Sequence, residues 1–208
     1  MFDSMYTPKL IDTYPIISDQ VSRDELSILL SELELVLATA GDGSIVEFGC
    51  YIGTTSLFIR RLMDKYAATG EYHVYDSFAG LPLKTHNDAS PAGEQFREGE
   101  LTASKKDLIK QFKKSNLRLP RIHKAWFSDL TDQDVPDNIT FAFLDGDYYE
   151  SIRDSLYLIT PKLTHDAVIV VDDYANEALP GTARATDEWL RIHPAKLHVK
   201  SSLAIIHL

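Results

Sequence analysis

Four carboxylates stand in two short stretches that leave apolar segments. Phe141-Ala-Phe-Leu-Asp145-Gly-Asp147 is one, and Val168-Ile-Val-Val-Asp172-Asp173 is the other. If the two apolar segments are neighbouring strands, Asp145, Asp172 and Asp173 converge at one edge. Their mutual repulsion is then relieved by a cation. Hard oxygen donors with no His or Cys nearby favour Mg²⁺, with Ca²⁺ and Mn²⁺ as alternatives. Such an ion keeps positions open for substrate oxygens, which points to a catalytic site. Asp147 lies one residue past Gly146 and is the candidate general base for a hydroxyl proton, a role Asp145 can share. The structural alternative is a helix cap, since Asp147 precedes a helical segment.

A second constellation is Glu47-Phe-Gly49-Cys-Tyr51-Ile-Gly53-Thr54, which follows a strand and opens a helix. Glycines allow close backbone approach to a ligand. A dinucleotide fingerprint would place glycine where Tyr51 stands, and there is no P-loop pattern. An acid before the first glycine suits a ligand with an amino group. Asp76, at the end of the next strand, suits two ribose hydroxyls. A ligand with both features and no phosphate is S-adenosylmethionine. The expected cofactor residues of this segment are Glu47, Gly49, Tyr51, Gly53 and Thr54, with Asp76. The plain alternative is a tight turn with a solvated acid. Cys50, the single cysteine, reads as a small packed side chain. Trp126 can pack near an adenine or in the core.

The elements that must position these residues alternate. Helices are expected at about 22–40, 54–69, 105–114, 148–159 and 182–193. Strands are expected at 44–48, 72–75, 121–125, 139–144, 167–171, 196–200 and 203–207. Ser22 and Glu25 form a capping box for the first helix, with Leu26 through Ala40 on one apolar face and Gly41 beyond it. Such alternation means a doubly wound, mostly parallel α/β sheet. The last two strands are too close for a crossover, so they form an antiparallel hairpin. One domain over 1–208 is expected, with 1–21, including Phe2, an irregular arm or lid and 77–102 a substrate loop. His86, Asp88, Glu94 and Phe96 are its candidate contacts. His165 belongs to the far edge. In this fold ligands bind at the carboxyl ends of the strands.

Composition limits the partners. The 208 residues carry 21 basic and 31 acidic side chains, a net charge of −10, which disfavours nucleic acid and anionic membrane. No apolar run approaches a membrane span, and Met1–Leu10 lacks a signal-peptide pattern. One cysteine excludes an intrachain disulfide and suits a cytoplasmic protein. The apolar face at 26–40 suits either the core or a homodimer.

These motifs stand in the order found in macrocin O-methyltransferase (TylF-type) proteins, and the chain resembles that family over about 44–190. The likeness rests on the glycine loop, Tyr75-Asp-Ser-Phe-Ala-Gly-Leu-Pro82, Lys124-Ala-Trp-Phe127, Leu144-Asp-Gly-Asp-Tyr-Tyr-Glu-Ser151, Leu158-Ile-Thr-Pro161 and Val171-Asp-Asp-Tyr174. The resemblance implies a Rossmann-like class I methyltransferase fold and divalent-metal-assisted O-methylation, typically on sugar hydroxyls of natural products. It implies Asp145, Asp172 and Asp173 as metal ligands and Asp147 as base. Glu47 and Gly49 would meet the methionine end of the cofactor, and Asp76 the ribose. Ser77, Trp126 and Phe127 would lie along its adenosyl part. Thr54-Thr55 replaces the family's Gly-Ser, and Ala125 replaces a glycine. Residues 1–43 and 83–120 carry no such likeness and are expected to select the small-molecule hydroxyl acceptor. The alternatives are a catechol acceptor, a non-catalytic binding protein and a nicotinamide-dependent oxidoreductase.

Overall fold

The computed structural model describes residues 5–39, 42–92 and 96–208. Expectations placed on Phe2, Ala40, Gly41 and Glu94 lie outside them. The strands are β1 (Ser44–Phe48), β2 (Tyr72–Asp76), β3 (Arg121–Lys124), β4 (Ile139–Leu144), β5 (Leu163–Val171), β6 (Lys196–Lys200) and β7 (Leu203–His207). They form one sheet in the order β3-β2-β1-β4-β5-β7-β6. The first five are parallel, β7 runs antiparallel to β5, and β6 pairs antiparallel with β7.

Each central strand feeds two cores by alternation. Ile45, Phe141, Phe143, Val168, Val170 and Ile205 enter one apolar layer. It is shared with helices α1 (Thr7–Thr13), α2 (Arg23–Thr39), α3 (Thr54–Lys65) and α4 (Lys105–Lys114). Val46, Phe48, Ala142, Leu144, Ile169 and Val171 enter the other, against α5 (Tyr149–Ile159) and α6 (Pro180–Ile192). Strands buried on both faces read as continuous apolar runs, as these do. Leu26, Leu29, Leu30 and Leu33 of α2 lie in the first core, so the face that suited core or homodimer belongs to the core. No helix of the described residues is long and apolar enough to cross a membrane.

Four elements differ from expectation. The arm contains α1, with Pro8 in its first turn where a missing N–H costs nothing. The buried Glu34 carboxylate caps that turn, accepting from the N–H groups of Tyr6 and Thr7, the Thr7 hydroxyl at 2.7 Å and Tyr66 at 2.6 Å. Helix α3 ends at Lys65 rather than 69, because Ala67 takes a left-handed φ of 50°. Strand β5 starts at Leu163, paired with Ile139, so exposed His165 sits inside it at the end away from Asp172. Helix α6 begins two residues early, on Pro180.

The loop 77–102 is tied down. Leu81 N–H donates to Glu100 and Gly99 N–H to Leu81, which closes its base. Buried Asp88 accepts from Tyr149 N–H at 2.7 Å and from the Thr85 hydroxyl at 3.0 Å. It therefore caps α5 from outside, and only a glycine fits at 181, where a Cβ would meet Asp88 Oδ1 at 1.9 Å. Asp88, a candidate acceptor contact, is a strut between the loop and α5 and also lines the pocket beside Tyr148. Asp88→Ala leaves a buried helix N–H unpaired and should cost about 2 kcal/mol, read from urea denaturation midpoints. A loss below about 0.5 kcal/mol would contradict the strut.

Candidate active site

Parallel register puts four strand exits in a row. Phe48 is paired with Tyr75 on one side and Leu144 on the other, and Leu144 with Val171. The next residues are Asp76, Gly49, Asp145 and Asp172. Gly49 has φ 88°, and a Cβ there would lie 1.8 Å from the Asp145 carbonyl oxygen. The glycine is what lets the two central exits close together.

Past these exits the acids crowd. Carboxylate oxygens of Asp145, Asp147 and Asp173 lie within 4.8 Å of one another. Asp147 and Asp173 adopt left-handed φ of 61° and 56°, strained for any residue but glycine and tolerated best by Asn and Asp. The set expected for a metal was Asp145, Asp172 and Asp173, with Asp147 apart as base. The geometry groups Asp147 with Asp145 and Asp173. Asp172 stands on the same wall, and its Oδ1 accepts from Asp173 N–H at 2.8 Å. Burial, then the charges of Asp172, Asp147 and Asp173, pushes the Asp145 pKa far above the carboxylate range. Burial and Asp173 do the same to Asp147. Burial and Asp173 raise Asp172 to about 8, and burial raises Asp173. A cluster of hard oxygen donors, costly to ionise without a counter-charge, fits a divalent cation of the Mg²⁺ type.

The acids open into a solvent-connected cleft. Its wall includes the expected Gly49, Tyr51, Asp76, Ser77, Trp126 and Phe127. Three expected cofactor residues do not stand on it. Glu47 is fully buried on the opposite face of β1. Its carboxylate accepts from the hydroxyls of Thr55, Ser56 and Tyr72. Burial lifts its pKa to about 7 despite these donors. Glu47 thus ties β1 to the first turn of α3. Gly53 is the left-handed N-cap of α3, packed on Leu108, and Thr54 is buried behind it. Asp76 does two jobs. Its Oδ2 accepts from Cys50 N–H at 2.9 Å and Tyr51 N–H at 3.2 Å, and its Oδ1 from Phe78 N–H at 2.7 Å. It shapes the loop and leaves Oδ1 with acceptor capacity toward the cleft.

Other wall residues escaped sequence reasoning. Asp19 and Gln20 reach the cleft from the segment between α1 and α2, which carries no motif. The arm is therefore packed at α1 and reaches the site beyond it. Leu81 and Leu101 line the cleft with the expected Phe96, whose carbonyl accepts from Tyr148 at 2.7 Å. His86 is exposed and is not on the wall. Trp126 is 39% exposed, a wall residue rather than a core one.

Comparison with known proteins agrees with this geometry. The family model for macrocin O-methyltransferase (TylF) matches residues 12–201. The chain belongs to that family. A Streptomyces olivaceus protein, 8-demethyl-8-(2,3-dimethoxy-alpha-L-rhamnosyl)-tetracenomycin-C 4'-O-methyltransferase, is 29% identical over 153 residues. That match covers 70% of this chain and 58% of the relative. Demethyldecarbamoylnovobiocin O-methyltransferase of Streptomyces niveus is 27% identical over 76% of this chain and 62% of its own length. The chain thus spans less than two thirds of these two relatives. Among solved structures, the O-methyltransferase NovP superposes with a TM-score of 0.75 at 23% identity, covering 88% of this chain and 79% of that one. The apo structure of CalS11, a TDP-rhamnose 3'-O-methyltransferase, gives 0.63 at 20%, covering 97% and 91%. These likenesses establish the Rossmann-like class I fold.

The acid cluster sets a pH dependence. Each of its members holds its proton more tightly folded than unfolded. The stability this confers is complete below the ordinary carboxylate pKa near 3.8 and is lost as pH rises through the folded values, about 8 for Asp172. In chelator-treated protein, Tm should fall between about pH 5 and pH 8. Added Mg²⁺ should restore it, more at the higher pH, because the ion needs deprotonated ligands. A Tm indifferent to Mg²⁺ at both pH values would contradict the cation assignment.

Proposed function

We propose that this chain transfers a methyl group from S-adenosylmethionine to a hydroxyl of a small molecule, on a sugar of a natural product, with a divalent cation at Asp145, Asp147 and Asp173. The observation that carries this reading is one cleft shared by that carboxylate trio and the Gly49–Tyr51 loop. Family membership and the printed activities of the relatives support it. The position of Tyr51 disfavours a nicotinamide dinucleotide, since the pyrophosphate would lack its close backbone approach.

The chain's own groups divide the work. Gly49 and Tyr51 present backbone to the cofactor, in a loop fixed by Asp76. The free capacity of Asp76 Oδ1 suits a ribose hydroxyl, and Ser77, Trp126 and Phe127 flank the adenosyl part. A bound divalent cation would supply positive charge that makes an acceptor hydroxyl more acidic and holds two adjacent oxygens. A carboxylate can give one oxygen to a cation and keep the other, so Asp147 on the cleft wall can take the hydroxyl proton, with Asp145 able to share it. The acceptor oxygen then takes the methyl carbon in line as the sulfur–carbon bond breaks. Positioning is the larger contribution, of order 7–11 kcal/mol for well-oriented groups. The acidic cleft argues against nucleic acid and membrane partners, and the single cysteine supports a cytoplasmic setting.

Asp147→Asn should lower kcat roughly a hundredfold or more. Affinity for S-adenosylhomocysteine, measured by calorimetry, should stay within a few-fold of the parent. Unchanged turnover would remove Asp147 from the chemistry, and loss of cofactor affinity would reassign it to the cofactor wall.

A further inference from the structure

Resting on the cation assignment, we infer that Asn176 is a positioning residue. Its side-chain N–H holds Asp173 so that one carboxylate oxygen stays free for a divalent ion, and it thereby sets the affinity of the site for that ion. Asn176 follows the acidic pair by three residues, in Asp173-Tyr-Ala-Asn176, and the fold brings it back to them. Asp173 takes a left-handed φ of 56°, and Asn176 N–H closes the turn onto the Asp173 carbonyl at 3.1 Å. Half-buried Asn176 then stands on the cleft wall with the trio.

The orientation of the Asn176 amide follows from its partners. Ala178 N–H donates to Oδ1 at 3.0 Å, so Nδ2 faces Asp173 Oδ1, 2.8 Å away. Turned over, the amide would set oxygen against oxygen at Asp173 and N–H against N–H at Ala178. Neighbouring elements anchor the turn that carries it. Ala175 N–H donates to the Ser202 carbonyl at 3.0 Å, and the Ser90 hydroxyl donates to the Glu177 carbonyl. Within the trio, Asp173 alone receives a side-chain donor among the described residues. One oxygen of Asp173 is thus engaged, rotation about its Cβ–Cγ bond is stopped, and the other oxygen is left for a cation. Groups that hold metal ligands from behind change metal affinity by roughly 10–100-fold when removed.

Two variants separate this role from that of the turn. Asn176→Ala removes both side-chain bonds. Asn176→Ser keeps an oxygen for the Ala178 N–H but is too short to reach Asp173 as well. Chelator-treated, cofactor-free protein is titrated with Mn²⁺, and free Mn²⁺ is read by electron paramagnetic resonance. Both variants should raise the Mn²⁺ Kd roughly 10–100-fold. S-adenosylhomocysteine affinity, measured by calorimetry without metal, should stay within a few-fold of the parent, a split that general loosening of the cleft would not give. Parental Mn²⁺ affinity in Asn176→Ser overturns the inference. Joint loss of Mn²⁺ and S-adenosylhomocysteine binding, or failure of both variants to fold, overturns it too, because the residue then serves only the scaffold. The parent protein keeps the two claims apart. Tight Mn²⁺ binding by the parent that the variants share sinks the role of Asn176 alone. No Mn²⁺ binding by the parent sinks the cation assignment and this inference with it.

Discussion

Carboxylates brought within a few ångströms of each other in a half-buried setting repel, and the fold must either neutralise them or lose stability. At the exits of β4 and β5 that cost is built in by register. Leu144 pairs with Val171, so Asp145 and Asp172 emerge side by side, and left-handed turns bring Asp147 and Asp173 to the same place. Gly49 permits the close approach of β1 to the Asp145 backbone. The two apolar cores fix the strands whose ends create the crowding, and the crowding in turn creates the demand for a cation.

Other buried or half-buried acids show what happens when a carboxylate is structural. Glu34, Glu47 and Asp88 are each met by several N–H or O–H donors from neighbouring elements. They tie α1 to α2, β1 to α3, and the long loop to α5. Asp76 is mostly of this kind, with some capacity left over. Asp145, Asp147 and Asp173 crowd one another instead; burial raises the pKa of all three, and neighbouring carboxylates add to the rise at Asp145 and Asp147. The contrast between acids satisfied by donors and acids facing acids separates scaffold from chemistry in this molecule.

Much of this was legible in the residues. Continuous apolar strands ending in acids gave the sheet, its C-terminal hairpin and the edge where the acids meet. The capping box at Ser22 and the strand ends at Phe48, Asp76 and Leu144 were local signals that tertiary packing did not override. The burial of Glu47 was not legible because strand alternation assigns faces only relative to a core, and three hydroxyl partners from other elements set its environment. The structural role of Asp88 was hidden for the same reason, since its helix partner lies 61 residues away. Asp19 and Gln20 were invisible because an irregular segment carries no period from which its direction can be read. The grouping of Asp147 with Asp145 and Asp173 depends on two left-handed backbone turns, which Asp tolerates without advertising them.

The central claim is that one cleft holds a divalent cation at the carboxylate trio beside an adenosyl cofactor at the glycine loop. Anomalous diffraction at the manganese edge, from crystals grown with Mn²⁺ and S-adenosylhomocysteine, tests it most directly. The expected result is a single strong peak among the side chains of Asp145, Asp147 and Asp173, with the cofactor against Gly49 and Tyr51. A fully occupied cofactor with no peak at those carboxylates, or with the ion bound elsewhere, would contradict it.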